Sequence, residues 1–80
     1  MADFEAHVLH VMARQSAGLI VSTVYGQKQD GKRFALVKTQ VVWYAVRLVI
    51  ENSYAVEREE FFLEAEADNY IASKKRELEG

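Results

Sequence analysis

The apolar positions near the start of the chain follow a helical period. They recur at the i, i+4, i+7, i+8 spacing of one helical face at Phe4, Val8, Val11 and Met12. Asp3 can cap the beginning of such a helix, and Gly18 can end it. The pattern predicts a helix over residues 4–16.

A change to strand-like composition follows directly. Residues 18–25 read GLIVSTVY, a stretch rich in β-branched and aromatic side chains, and the turn former Asp30-Gly31 comes next. Residues 33–39 then alternate between two faces as a second strand does. We predict a two-stranded antiparallel hairpin with strands over residues 18–26 and 32–40.

The segment QVVWYAVRLVIEN, residues 40–52, fits two structures. Its apolar residues alternate as in a strand, yet the segment is apolar nearly all round, as in a buried helix. A strand prolonged from residue 33 to residue 50 would outrun its hairpin partner by roughly ten residues and leave an apolar unpaired edge. We therefore predict a helix over residues 41–52.

The last part of the chain has a second helical stripe. From Ser53 there is no glycine or proline until Gly80, and apolar residues share one helical face at Val56, Leu63, Ala67, Tyr70, Ile71 and Leu78. This predicts a helix over residues 54–78. Ser53 either caps that helix or lies inside one continuous helix from residue 41, roughly 55 Å long, which would need a partner.

These elements predict one α+β domain spanning residues 1–80. It consists of an N-terminal helix, a two-stranded antiparallel hairpin, and then one long or two consecutive C-terminal helices. Asp3 and Glu5 occupy positions where a signal peptide carries basic residues, so we expect a cytoplasmic protein. Arg47 interrupts the most apolar stretch, and we expect no membrane span.

Composition adds an expectation of self-association. Half of the 80 residues are apolar, and the chain contains neither cysteine nor proline. A domain this small buries a limited share of its surface, and disulfides are excluded as a source of stability. We predict a homo-oligomer, with a homodimer as the default. The consecutive Phe61, Phe62 and Leu63 cannot all face one core from a helix, which makes Phe61 and Phe62 candidate interface residues.

Charge divides the chain into two halves. Residues 1–50 carry six Lys/Arg and three Asp/Glu, whereas residues 51–80 carry four and nine. Acids early and bases late in the last helix suit the helix dipole. The same order also lets two copies pair antiparallel, with Glu60 and Glu64 facing Lys74 and Lys75 of the other copy.

The sequence contains no recognisable catalytic or cofactor motif. The serines lack a GxSxG elbow, and the four glycines form neither GxGxxG nor GxxxxGK[ST]. His7 and His10 resemble half of a metal site, but no HExxH or ExxH spacing supplies further ligands. We predict that the chain is not an enzyme and has no cofactor and no metal.

Two groups of residues support an alternative, the binding of nucleic acid or of a small anion such as a nucleotide. The hairpin carries Lys28, Lys32 and Arg33, which can contact phosphates, although a solvated turn explains them equally. Trp43 and Arg47 share a face at helical spacing and can hold a planar anionic ligand, although an isolated tryptophan is more commonly a core residue.

The leading hypothesis is a homo-oligomeric protein-binding or inhibitory module. Surplus apolar content, the two adjacent phenylalanines and the acidic last helix all favour an interaction with protein. A compact chain without cysteine or motif is also the kind of product that a virus or mobile element uses to block a host protein. That inhibitory role rests on analogy with a class of proteins.

Overall fold

The computed structural model describes residues 2–15 and 18–80, with the backbone alone for Ala2. This part of the chain contains two helices and four strands, and the predicted α+β class is confirmed. In chain order they are α1 (Ala2–Gln15), β1 (Leu19–Gln27), β2 (Arg33–Gln40), β3 (Tyr44–Ile50), β4 (Glu57–Phe61) and α2 (Glu64–Glu79). The predicted end of the first helix, at Ser16, lies outside the described residues.

The strands form one antiparallel sheet with the spatial order β1-β2-β3-β4, and a helix packs on each face. Alternate residues of β2 supply both cores, since Ala35 and Val37 face α1 while Phe34 and Leu36 face α2. The α1 core also contains Phe4, Val8, Val11, Met12 and Val49. The α2 core also contains Val46, Leu48, Ala67 and Ile71. The result is three layers, with the sheet in the middle.

The predicted helix over residues 41–52 is wrong. Residues 41–43 form a turn, and Tyr44–Ile50 is strand β3, which pairs with β2 on one side and β4 on the other. A central strand covered by helices on both faces is apolar on both faces, so it reads like a buried helix. That ambiguity is the physical reason for the error.

The predicted helix over residues 54–78 is wrong for residues 54–63, and the predicted two-stranded sheet is also wrong, because the sheet has four strands. Residues Glu57–Phe61 form β4, and the helix begins only at Glu64. The run Glu57–Glu60 favours a helix by propensity, but pairing with β3 satisfies backbone groups that would otherwise form an unpaired edge. Ser53 begins no helix, because it lies in the β3–β4 connection and its Oγ accepts a hydrogen bond from the Ala55 N–H at 3.2 Å.

A buried cation holds α2 on the sheet. Lys38 on β2 is 5% exposed, and its Nζ donates to Asp68 Oδ1 at 2.6 Å and to Glu64 Oε2 at 2.7 Å. These hydrogen bonds, the one to Asp68 foremost, raise the pKa of Lys38. The first two turns of α2 are thereby fixed above β2. Neither helix in the described ranges has the length and apolarity needed to cross a bilayer.

Candidate protein-binding surface

A group of large apolar side chains is exposed at one end of the sheet, where β2 and β4 end and β3 begins. Its members are between 52% and 74% exposed. They are Val41, Val42, Trp43, Phe62 and Leu63, and we refer to them as the end patch. Five exposed apolar side chains on two loops joined by the Trp43–Phe62 contact are more than the scattered single exposures of an ordinary surface.

The turn that carries half of the end patch has an unusual composition. It joins β2 to β3 through three residues, and the Val41 N–H donates to the Trp43 carbonyl oxygen at 3.2 Å. Turns at hairpin ends are normally built from Gly, Asn, Asp, Pro or Ser. Two valines and a tryptophan are not residues that such a turn requires, and all three side chains are more than half exposed.

The aromatic pair Trp43 and Phe62 joins the two loops of the end patch. Their ring centroids are 6.1 Å apart and the ring planes are inclined at 64°, an edge-to-face contact. Phe61, the neighbouring residue, is the last residue of β4 and is only partly exposed. It packs against Tyr70 of α2, with 5.2 Å between ring centroids. Of the two predicted phenylalanines, only Phe62 is therefore strongly exposed.

The rim of the end patch is acidic. Glu60 lines a shallow depression of about 250 Å³ together with Trp43, Phe61 and Phe62. The Glu60 carboxylate lies 3.6 Å from the Arg58 guanidinium, and both side chains are about half exposed. The first turn of α2 brings Glu64 and Glu66 to the same end of the sheet, where Glu66 Oε1 accepts from the Leu63 N–H at 3.2 Å.

The other predicted interface residues have ionic partners within the chain. Lys74 Nζ lies 4.0 Å from Glu57 and 3.8 Å from Glu77, and Lys75 Nζ lies 2.8 Å from Glu79. The predicted pairing of these lysines with acids of another copy remains a prediction. The sequence analysis did not identify Val41 and Val42 as surface residues. The feature that marks them is the apolar composition of a tight turn, and it can be seen only once residues 41–43 are known to form a turn.

The residues predicted to contact an anion are not brought together. Lys28, Lys32 and Arg33 lie at the β1–β2 turn, and Trp43 follows the far end of β2, roughly 25 Å away along the strand. Lys28 lies 3.6 Å from Asp30, and Arg33 forms a 2.5 Å ion pair with Glu51. These cations belong to local structure at the opposite end from the tryptophan.

Arg47 is buried in the middle of β3. Its Nη1 donates to Thr39 Oγ1 at 2.8 Å, while its Nε has no hydrogen-bond partner among the described residues. Burial, with a smaller contribution from Arg58, lowers the pKa of Arg47. Trp43 and Arg47 were predicted to share a helical face. In the structure Trp43 lies in an exposed turn, whereas Arg47 is buried in β3.

The two histidines of α1 pack against the β3–β4 connection. His7 Nε2 lies 2.9 Å from the Ser53 carbonyl oxygen, and the rings of His7 and His10 are 5.0 Å and 6.1 Å from the ring of Tyr54. A cavity of about 500 Å³ beside them is lined by His10, Val11, Arg14, Gln15 and Tyr54. Over the described residues, no cluster of three or more His, Asp or Glu side chains is arranged to hold a metal ion.

Comparison with known proteins adds no relative from which a role could be transferred. The sequence matches no protein-family model and no curated protein, and the fold matches no solved structure.

Proposed function

We propose that this chain is a protein-binding module and that the end patch is its contact surface. The observation that carries the proposal is the exposed Trp43–Phe62 pair, set among three further exposed apolar side chains. Tryptophan and other large aromatic residues near the centre of a contact surface account for much of the binding energy in protein interfaces. The depression beside this pair offers a place for an apolar side chain of the partner.

The charge around the end patch specifies the kind of partner. Glu60 lines the depression beside the aromatic pair, and Glu64 and Glu66 follow Leu63 in the first turn of α2. Charge complementarity at the rim of an interface directs association. A partner segment that presents an aromatic or aliphatic side chain flanked by lysine or arginine fits this surface. An acidic segment would be repelled.

Selection from a random peptide library displayed on phage tests this proposal, because such a library samples many combinations of apolar anchor and flanking charge. Peptides selected on the wild-type protein are expected to combine an apolar anchor with basic residues. Their affinity for the Phe62→Ser variant should fall by at least about tenfold, the loss typical of an interface hot spot. Isothermal calorimetry on the enriched peptides measures that loss.

The matched control is Leu9→Ser. Leu9 is 62% exposed on α1, away from the end patch, so the same change of apolar to polar should leave peptide affinity unaltered. Enriched peptides that bind wild type and Phe62→Ser equally would contradict the proposal. Enrichment of acidic peptides would contradict the inferred chemistry of the partner.

A second candidate function is the binding of a small anion in the cavity beside α1. Arg14, Gln15, His10 and Tyr54 supply polar groups to this cavity, and none of its lining residues in the described chain is acidic. Titration with inorganic phosphate, followed by the NMR signals of Tyr54 and His10, should show saturable shifts that Arg14→Gln abolishes. Unchanged signals at low ionic strength would remove this candidate.

A further inference from the structure

The sheet has two edges of very different character. Among the residues that the structure describes, β1 is one edge and pairs with β2 alone, and β4 is the other edge and pairs with β3 alone. β4 has five residues, of which four are charged, EREE. β1 has nine residues, LIVSTVYGQ, and none of them is charged. Short charged edges resist pairing with another strand, whereas long uncharged edges accept it.

The pairing with β2 determines which backbone groups of β1 point away from the sheet. The Glu51 N–H donates to the Arg33 carbonyl oxygen, so the backbone groups of Arg33 are directed toward β3. Its partner on β1, Gln27, is therefore in a pair without hydrogen bonds, and its N–H and C=O point outward. The same follows for Tyr25 and Thr23 at two-residue intervals. In residues 2–15 and 18–80, no backbone group bonds to them from that side.

Apolar side chains along this edge are also exposed. Leu19, Ile20, Val21 and Tyr25 each keep more than a third of their surface in contact with solvent. A β-bulge lies between Ile20 and Ser22, so the regular ladder runs from Ser22 to Gln27. Unpaired outward backbone groups next to exposed apolar side chains are the features that another strand would cover.

We propose that β1 pairs antiparallel with β1 of a second copy of this chain, about a two-fold axis at Val24. In this register Thr23 of each copy exchanges two backbone hydrogen bonds with Tyr25 of the other. The two sheets become one sheet of eight strands. Thr23 then lies directly across from a tyrosine ring, a favourable cross-strand pair of β-branched and aromatic residues.

Charge and symmetry select a second copy as the occupant of this edge. An antiparallel pair of identical strands is isologous, so each copy offers the same surface, and a strand without charge meets itself without repulsion. The acids near this edge include Glu79, whose carboxylate lies beside Gly26, and Glu5, which interacts electrostatically with Tyr25. In the proposed register Gly26 faces Ser22 of the other copy, so the two Glu79 carboxylates stay at opposite ends of the paired strands and each meets a hydroxyl.

This inference does not depend on the proposed function. The paired segment and the end patch have no residue in common, and the second copy uses backbone groups rather than the Trp43–Phe62 pair. Failure of one proposal therefore leaves the other intact. Variants placed in β1 and in the end patch separate the two surfaces.

Sedimentation equilibrium from micromolar to millimolar concentration measures the proposed dimer. The wild-type protein is expected to reach twice its chain mass of 9.2 kDa. Thr23→Pro removes only an outward N–H, and Thr23→Lys places a charge on the edge, so both should fold and weaken the dimer by at least about tenfold. Val42→Lys, the matched control in the end patch, should keep the wild-type dissociation constant.

Amide hydrogen exchange provides a readout that does not rely on a variant. In the dimer the amides of Thr23 and Tyr25 are hydrogen-bonded and should gain protection as concentration rises, while the already bonded amides of Val24 and Gly26 change little. A wild-type chain that stays at 9.2 kDa overturns the proposal. So does a dimer that Val42→Lys dissociates, or one in which the Thr23 and Tyr25 amides exchange freely.

Discussion

Two ion pairs between elements show how single residues adjust the stability of this fold. Glu51 accepts a hydrogen bond from the backbone N–H of Arg33 at 3.0 Å and forms an ion pair with its guanidinium, which also lies 5.3 Å from the centre of the Phe4 ring. These contacts, the side-chain hydrogen bond foremost, lower the pKa of Glu51 to about 2 from its ordinary 4.5. The pair connects β2, β3 and α1 at one point.

Removing the Glu51 carboxylate should reduce the dependence of the free energy of unfolding on pH in the acid range. Because its folded pKa is depressed, the contribution is fully present above pH 4.5 and is lost as pH falls toward 2. Glu51→Gln is therefore expected to be less stable than wild type at neutral pH and to show a smaller fall over this window. Urea unfolding at several pH values measures this. The control is Glu59→Gln on β4, and equal curves for wild type and Glu51→Gln would contradict the assignment.

Lys38 predicts the opposite pH dependence. Its folded pKa is raised above 10.5, so its contribution is present below that pH and is lost as pH rises through the folded value. Lys38→Met should destabilise the protein by about 1 kcal/mol, a modest amount because both partner carboxylates are half exposed. It should also remove the loss of stability that the wild type shows at alkaline pH. Adding Glu64→Gln and Asp68→Asn should restore part of the loss by removing the two adjacent negative charges. No restoration would mean that Lys38 stabilises through packing alone.

At the scale of elements, the sequence pattern correctly predicted those helices and strands that depend on local pattern alone. α1 follows from the spacing of Phe4, Val8 and Val11, and β1 and β2 follow from β-branched residues on either side of Asp30-Gly31. β3 was misread because helices cover both its faces, so that all its residues except Arg47 are apolar or aromatic. β4 was misread because four charged residues favour a helix locally, whereas its strand structure depends on pairing with β3, which local propensity does not contain.

The difference between local sequence pattern and tertiary structure also explains which parts of the candidate surface could be predicted. Phe61 and Phe62 were both predicted as interface residues because consecutive large side chains of a helix cannot all face one core, and of the two only Phe62 is strongly exposed. Val41, Val42 and Trp43 were hidden by the helix assigned to them. The open edge of β1 is defined by the order of strands in the sheet, which no local pattern contains.

The beginning of α2 offers a test that separates stability from binding. Leu63 occupies the N-cap position, where Ser, Thr, Asp or Asn would accept a hydrogen bond from the first turn, and its side chain is 58% exposed. Leu63→Ser should stabilise the protein by about 1 kcal/mol and weaken the peptides selected on the end patch. Urea unfolding and calorimetry measure the two effects. Stabilisation without any loss of affinity would exclude Leu63 from the binding surface.

At the scale of the whole molecule, the described chain is a sheet held between two separate cores. The α1 core and the α2 core share no side chain, because each residue of β2 and β3 points to one face only. Thr39 and Arg47 lie on the α1 face among the apolar residues, and Lys38 lies on the α2 face. Each face of the sheet therefore carries one group of polar contacts in an otherwise apolar layer. On the α1 face it is the Arg47–Thr39 hydrogen bond, and on the α2 face it is the ion pairs of Lys38.

The proposed pairing through β1 would make the thermal stability depend on protein concentration. A second copy that binds only the folded chain stabilises it by mass action, so the melting temperature of the wild type should rise with each tenfold increase in concentration. Thr23→Pro should melt at one temperature throughout. Differential scanning calorimetry measures both, and a wild-type melting temperature that is independent of concentration would count against the dimer.

The contrast between the two edges also bears on solubility. A protein with two receptive edges could recruit neighbours without end and grow into a filament, whereas one with a single receptive edge stops after one partner. In the proposed dimer, the glutamates and arginine of β4 would keep the second edge unpaired. Replacing them with threonine or valine would convert a self-limiting assembly into a fibre-forming one.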